Sequence, residues 1–313
     1  MANILVTGGA GNIASALVCK LAENRDDFIV VADNLLTGDL LKVPTHLENV
    51  HFVKCDVNDF DDIAPLFFIH KFDYVFHFAA VVGVQRTLAN PLAVLRDIEG
   101  IENILKLSKN TGVERVYYSS SSEVYGEPFE IPQNENTTPL NSRLPYAVVK
   151  NVGEAYLRTY QKEYGLNYMI FRFFNTYGPN QTEDFVLPKF VRLAIYDAPI
   201  PIYGDGNQTR TFCYVEDTVR ACVTAHYGGI YVNEVVNIGG AEEVTILTLA
   251  EKVIEVCKSR SKLKFLPPLI EGDMTRRCPD VTKMKALLER EPIPLHEGIL
   301  RLKNHYLNQK ANA

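Results

Sequence analysis

The sequence predicts an α/β fold, a doubly wound parallel sheet joined to a smaller α/β lobe. Three observations predict it. Short apolar runs alternate with helical patterns through the first half of the 313-residue chain, the arrangement of right-handed βαβ crossovers. A glycine-rich turn stands between the first run and the first helical pattern. After about residue 175 the texture changes, with prolines at 179, 188, 199 and 201 and glycines at 204 and 206.

Ile4-Leu5-Val6 reads as the first strand and Ile13 to Leu21 as the first helix. Phe28 to Ala32, His51 to Lys54 and Asp73 to Phe76 read as the next strands. A helical stretch runs from about Pro91 to Lys109, Arg115 to Ser119 is strand-like, Pro145 to Tyr164 is helical, and Asn167 to Phe173 is a further strand. In the second half a helix is expected from Thr245 to about Cys257 and another from about Leu295. Residues 1–174 with about 211–238 are read as the larger domain, and about 175–210 with 239–313 as the smaller lobe. Neither an internal repeat nor a low-complexity tract is visible.

Composition narrows the function classes. With 47% hydrophobic and 22% charged residues, the chain can bury a sizeable core. A net charge of -6 argues against general nucleic-acid binding, which needs a basic surface. No run approaches the roughly 18 apolar residues of a membrane span. The start, Met-Ala-Asn-Ile-Leu-Val-Thr, lacks the features of a signal peptide, so a cytoplasmic location is expected. Six scattered cysteines without a C-x-x-C pair read as reduced thiols and no metal site.

Thr7-Gly8-Gly9-Ala10-Gly11-Asn12-Ile13-Ala14 joins the first strand to the first helix. In that context it is a phosphate-binding turn. Gly8 permits the tight turn, Gly11 lets the backbone approach a pyrophosphate, and Ala14 keeps helix and strand close. The helix N-terminus offers N–H groups to the anion. Asp33 ends the second strand, where a carboxylate accepts hydrogen bonds from a ribose and repels an extra phosphate. The following Asn34-Leu35-Leu36 contains no arginine. NAD is therefore expected rather than NADP.

Tyr146 and Lys150 stand four apart on one helical face. A tyrosine near pKa 10 is a poor base at neutral pH, and a nearby ammonium is expected to lower that pKa. Such a tyrosine can accept a proton from a hydroxyl while hydride leaves the same carbon. Ser119-Ser120-Ser121-Ser122-Glu123 follows the fifth strand, at the sheet edge where folds of this kind bind ligands.

Together these segments resemble the extended short-chain dehydrogenase/reductase family of nucleotide-sugar enzymes, over nearly the whole chain. The resemblance implies a Rossmann domain holding NAD and a lobe binding a nucleoside-diphosphate sugar. It implies oxidation at sugar C4 by Tyr146, Lys150 and Ser121, with Glu123 acting on the resulting ketone, in carbohydrate biosynthesis. His77-Phe78-Ala79-Ala80 is similar to the cofactor-lining strand end, and Asp56-Val57 to the adenine-contacting pair. Ser119, Tyr146 and Lys150 complete the implied cofactor contacts. Arg172-Phe173-Phe174-Asn175-Thr176-Tyr177-Gly178-Pro179 is similar to a segment whose asparagine meets the diphosphate. Implied substrate contacts are Ser121, Ser122, Glu123, Tyr146, Asn175, Leu187, Tyr203, Arg210 and Arg277, the two arginines suiting a diphosphate.

The reaction after oxidation stays open. Ser121-Ser122-Glu123 resembles the T-S-E of UDP-glucuronate decarboxylases and GDP-mannose dehydratases, and Arg277-Cys278-Pro279-Asp280 resembles an arginine segment of the decarboxylases. The loop Val81-Val82-Gly83-Val84-Gln85-Arg86-Thr87 lacks the proline- and tyrosine-bearing pattern of the decarboxylases and resembles epimerase and dehydratase loops at least as much. An epimerase- or decarboxylase-type reaction is expected. A 4-dehydrogenase, a 4,6-dehydratase and a non-catalytic NAD-sensing scaffold are the alternatives. The resemblance also implies a homodimer, or a higher homo-oligomer, pairing the helices near Pro91–Lys109 and Pro145–Tyr164.

Overall fold

The computed structural model describes residues 1–268 and 276–311, with the backbone alone at 84, 85, 88, 310 and 311. The first half comprises β1 (Asn3–Thr7), α1 (Asn12–Leu21), β2 (Phe28–Asp33), β3 (Val50–Lys54), α2 (Phe60–His70), β4 (Tyr74–His77), α3 (Val84–Ala89), α4 (Pro91–Leu95), α5 (Asp97–Thr111), β5 (Arg115–Ser121), α6 (Pro145–Tyr164) and β6 (Asn167–Phe173). Then follow β7 (Thr176–Tyr177), α7 (Val186–Ile195), β8 (Ile200–Tyr203), β9 (Thr209–Thr211), β10 (Cys213–Tyr214), α8 (Val215–Gly228), β11 (Val235–Ile238), β12 (Glu243–Thr245), α9 (Ile246–Cys257), β13 (Leu263–Leu266), α10 (Thr282–Leu288) and α11 (Leu295–Ala311).

Seven strands form one parallel sheet in the order β11-β6-β5-β4-β1-β2-β3. Strand alternation splits its side chains between two cores. Ile4, Val6, Ile29 and Val31 pack with α1, α8 and α10, whereas Leu5, Val30 and Ala32 pack with α2, α5 and α6. Both faces are therefore covered, as a parallel sheet requires. A third core, of Leu187, Val191, Ile202, Leu249, Val253 and Ile299 among others, lies between α7, α9 and α11.

Several elements differ from the sequence reading. The stretch expected as one helix from Pro91 divides at Arg96. There Glu99 N bonds back to Arg96 O at 3.0 Å, a tighter i+3 step, and Asp97 is buried. Helix α2, with Pro65 in its interior, has no counterpart among the expected elements. The fifth strand runs two residues past its expected end at Ser119, because β5 stays in register with β6 as far as Ser121 opposite Phe173.

Strand order reverses between β1 and β4, whose ends meet at Thr7 opposite His77. A crevice opens outside the carboxyl ends of the strands at such a reversal.

Candidate active site

That crevice leads into a cavity of about 420 Å³. Every residue expected to hold the cofactor lines it: Gly8, Gly11, Asn12, Ile13, Asp33, Asn34, Asp56, Val57, Phe78, Ala79, Ala80, Ser119, Tyr146 and Lys150. Gly8 has φ +67°, and a Cβ there would stand 2.7 Å from both Cα and N of Ala79. No side chain fits between the turn and the end of β4. Gly11 caps α1 without a side-chain hydrogen bond, so the first helical N–H groups stay available to an anion. Asn12 Oδ1 is buried there without a partner. Asp33 Oδ2 accepts Ala10 N at 3.0 Å and Oδ1 accepts Leu35 N at 2.8 Å. Each carboxylate oxygen carries a second lone pair for a hydroxyl donor. A tight backbone approach, uncapped helix amides and an anchored acid fit a dinucleotide.

Thr7 holds this wall in shape. Its Oγ1 accepts Phe78 N at 3.1 Å and Ala79 N at 3.2 Å, so its proton goes to His77 Nδ1 at 2.9 Å. His77 is thereby the neutral Nε2-protonated tautomer. Burial, and then the charge of Lys150, push its pKa down to about 3. His77 is a structural acceptor and not a proton carrier at neutral pH.

Helix α6 opens on Pro145 at its first position and turns Tyr146, Lys150 and Glu154 toward β5. A Cβ on Gly153 would lie 2.3 Å from the Tyr118 hydroxyl, so bare Gly153 allows this close approach. Lys150 Nζ donates to Ser119 Oγ at 3.3 Å and sits 5.0 Å from the centre of the Tyr118 ring. Burial lowers the Lys150 pKa to about 8, with Asp97 pulling the other way. Tyr146 shares a hydrogen bond with Ser121. Its hydroxyl departs from the expectation of a lowered pKa. Burial, then the charge of Glu123, hold it above the ordinary tyrosine value, while Ser121 and Arg277 pull it down. Lys150 Nζ is 5.8 Å from the centre of the Tyr146 ring.

Glu123 sits on a short turn, Ser122–Tyr125, whose cap is Ser121 Oγ accepting Glu123 N at 3.2 Å. Arg277 Nη1 approaches Glu123 Oε1 to 3.5 Å. Arg277 Nε is buried without a partner. Tyr146, Glu123 and Arg277 thus form one charged cluster in the cavity wall.

A buried network stands behind the cluster. Glu154 Oε1 accepts from Ser120 Oγ at 2.7 Å and Arg172 Nε at 2.8 Å, and Oε2 from Arg172 Nη2 at 2.7 Å. Arg172 Nη1 donates to the Tyr125 hydroxyl, which donates to Asn237 Oδ1, both at 2.8 Å. Asn237 Nδ2 donates to Gln133 O at 2.9 Å, and Gln133 N to Cys278 O at 2.8 Å. The turn bearing Glu123 and the segment bearing Arg277 therefore hang on one set of bonds.

Of the expected substrate contacts, Ser121, Ser122, Glu123, Tyr146, Asn175, Leu187 and Arg277 line the cavity, but Tyr203 and Arg210 do not. Arg210 is buried on β9, with Nη1 donating to Thr209 O at 2.7 Å. The bridge between Thr209 and Arg276 nevertheless runs the segments bearing Arg210 and Arg277 side by side. Asn175 has φ +28°, and its Nδ2 donates to Thr211 O at 3.0 Å. Arg86 donates to Val82 O at 3.0 Å and meets Asp184 at 3.5 Å, outside the lining. Sequence reasoning missed Thr37, Gly38, Asp97 and Gln181 in the wall. Thr37-Gly38 was findable: a Cβ on Gly38 would crowd Asp33 Oδ1 at 2.7 Å, so glycine is needed beside that acid. Asp97 gave no signal, because an acid in a helix's first turn is ordinary.

A parallel sheet with a phosphate turn at its switch point, and a Ser-Tyr-Lys group beyond it, defines a dinucleotide-dependent oxidoreductase-type enzyme. The model of the NAD dependent epimerase/dehydratase family matches residues 4–239, and the chain belongs to that family. It is an enzyme, and NAD is its cofactor. The chain is 36% identical to a putative UDP-glucose 4-epimerase of Methanocaldococcus jannaschii, over 97% of this chain and 98% of the relative. It is 34% identical to UDP-glucuronic acid decarboxylase 1 of Danio rerio, over 95% of this chain and 70% of the relative. The structure of a UDP-glucose 4-epimerase from Thermotoga maritima with UDP-glucose superposes with a TM-score of 0.91 at 32% identity, covering 98% of this chain and 99% of that one.

Proposed function

We propose that this enzyme oxidises C4 of a nucleoside-diphosphate sugar and then acts on the 4-keto sugar in a decarboxylase-type reaction, the substrate being a uronic acid. The observation carrying this reading is the Glu123–Arg277 pair beside Tyr146. The residues lining the cavity from Gly8 to Ala80 hold NAD, which when bound takes up hydride from C4 and later returns it. Tyr146 accepts the C4 hydroxyl proton, and Ser121 orients that hydroxyl through its bond to Tyr146. Lys150 sits behind them on Ser119. Arg277 offers the cation that a C6 carboxylate needs. A carboxylate β to a ketone loses carbon dioxide. The bonding pair passes into the ketone as an enolate, and a proton returned to C5 completes the step.

A second reading is a 4-epimerase, favoured by the 36% identity to the archaeal relative named as one. In both readings residues 1–174 with about 211–238 carry the cofactor, and about 175–210 with 239–313 the sugar nucleotide. We also read the enzyme as cytoplasmic and as a homodimer through α5 and α6. Six free cysteines support the first. Half-exposed Val148 and the Tyr156–Tyr160–Tyr164 row on α6 support the second. No helix among the described residues is long and apolar enough to cross a membrane.

The test is product analysis after incubation with NAD and UDP-, GDP-, dTDP- and CDP-sugars, uronic acids included. Loss of carbon dioxide from a uronic acid supports the first reading, and inversion at C4 supports the second. Absence of any turnover refutes both. Tyr146→Phe is expected to lower the rate by about 10²–10⁴-fold, the usual share of general acid–base catalysis; an unchanged rate refutes its role.

A further inference from the structure

Asn237 stands among Val235, Val236 and Ile238 on β11 and is fully buried. A carboxamide in such a place must pair its polar atoms, as this one does. Oδ1 accepts the Tyr125 hydroxyl at 2.8 Å, and Nδ2 donates to Gln133 O at 2.9 Å and to Asp280 O at 3.4 Å. The backbone N of Asn237 donates to Glu135 Oε1 at 2.9 Å, so residues 133–135 lie along the strand edge that β6 leaves open.

These bonds lead to two different pieces of the site. Tyr125 closes the short turn that carries Glu123. Gln133 pairs across Pro279: its N donates to Cys278 O and its O accepts Asp280 N, both at 2.8 Å. Arg277 is the next residue before this ladder. On the other side of Arg277, Arg276 is tied to Glu243 at 2.6 and 2.7 Å. Arg277 is therefore strung between two clamps, and the clamp shared with the Glu123 turn runs through Asn237. Neither the sequence reading nor the proposed reaction uses Asn237, which does not line the cavity.

We propose that Asn237 is a positioning residue of this site: its carboxamide bolts the Glu123 turn to the Arg277 segment and so sets the 3.5 Å separation of that pair. The inference rests on the proposed reaction for the step affected, the one after C4 oxidation. Without the bolt, Tyr125 keeps Arg172 as its donor and Gln133 keeps its ladder with Cys278 and Asp280. Each piece stays folded, but the two are free to shift against each other. A displacement of about 1 Å between reacting groups costs about 10²-fold in rate. Tyr146 and Lys150 stand on α6, outside these bonds, so C4 oxidation is spared.

Asn237→Leu tests this with two readouts. Hydrogen exchange of the NAD-loaded enzyme, read by mass spectrometry, needs no substrate. Loss of protection is expected in both 122–126 and 276–284, with the phosphate turn at 7–14 unchanged. Unchanged exchange in either segment overturns the proposal. In single turnovers with a uronic-acid sugar nucleotide, NADH should form at the wild-type rate while carbon dioxide release slows by about 10–100-fold. A merely structural role would lower the amplitude of both phases and leave their rates as in the wild type, an outcome that also overturns the proposal. Where Asn237→Leu does not fold, Tyr125→Phe cuts the same bolt at one bond with almost no change of shape, and the same two readouts apply. If the wild-type enzyme releases no carbon dioxide from any uronic acid, the proposed reaction fails, whereas the exchange result still decides the role of Asn237.

Discussion

Arg172→Met removes the positive half of a buried ion pair and leaves Glu154 behind. The two side chains are 2% and 0% exposed, with Nη2 and Oε2 2.7 Å apart. Breaking one partner of such a pair costs about 3–5 kcal/mol, because the remaining charge is stranded in a poor solvent. Ser120 and the half-exposed Arg158, at 2.7 and 2.8 Å, still serve Glu154, so the lower end, about 3 kcal/mol, is expected. The Tyr125 hydroxyl also loses its donor. Against a usual total of about 5–15 kcal/mol this is a large fraction. Urea unfolding at neutral pH measures it, as a lower midpoint at unchanged slope. In the double variant Arg172→Met/Glu154→Leu both charges go, and most of the loss should return. The pH dependence has a definite sign. Burial raises the Glu154 pKa, but the hydrogen bonds and charge of Arg172, with Ser120 and Arg158, outweigh it and leave it lowered. A lowered folded-state pKa means that this stability is present above the ordinary glutamate range and lost as pH falls through the folded value. Arg172→Met should flatten that acid limb. A loss below about 1 kcal/mol, or simple additivity in the double variant, would refute the account.

Glu123→Gln keeps the turn and its Ser121 cap but removes the charge facing Arg277 at 3.5 Å. It should spare NADH formation and stop carbon dioxide release; single-turnover absorbance near 340 nm with product analysis separates the two, and an unaffected overall reaction would favour the epimerase reading. Asp33→Ala removes the acceptor of two backbone N–H groups and of the expected ribose bonds. NAD affinity should fall by about 10–100-fold, from the 1.5–3 kcal/mol of hydrogen bonds to a charged group. Calorimetry checks this, and wild-type affinity would remove Asp33 from the site.

Most of the cofactor end was legible in the sequence, because its chemistry is local. Gly8, Gly11 and the start of α1 lie within one turn, and Asp33 is placed by the strand it ends. The Tyr146–Lys150 spacing needs only one helix. Even so, the fifth strand was expected to end at Ser119, and only its pairing with β6 carries it to Ser121. Arg210 and Tyr203 were among the implied substrate contacts, and neither is in the lining of the cavity described. No local pattern could reveal that Arg210 is buried on β9.

What the order of residues determined by itself is the parallel sheet, the phosphate turn and the catalytic helix, since each follows from hydrophobic period, glycine placement and short spacing. What only the tertiary structure decided is which charges meet. Glu123 and Arg277 are 154 positions apart. Their encounter depends on how the segment after residue 276 packs against the end of β5. Burial there removes the solvent that would screen them. It also overturns the simple expectation for Tyr146, whose pKa follows its surroundings rather than its spacing from Lys150.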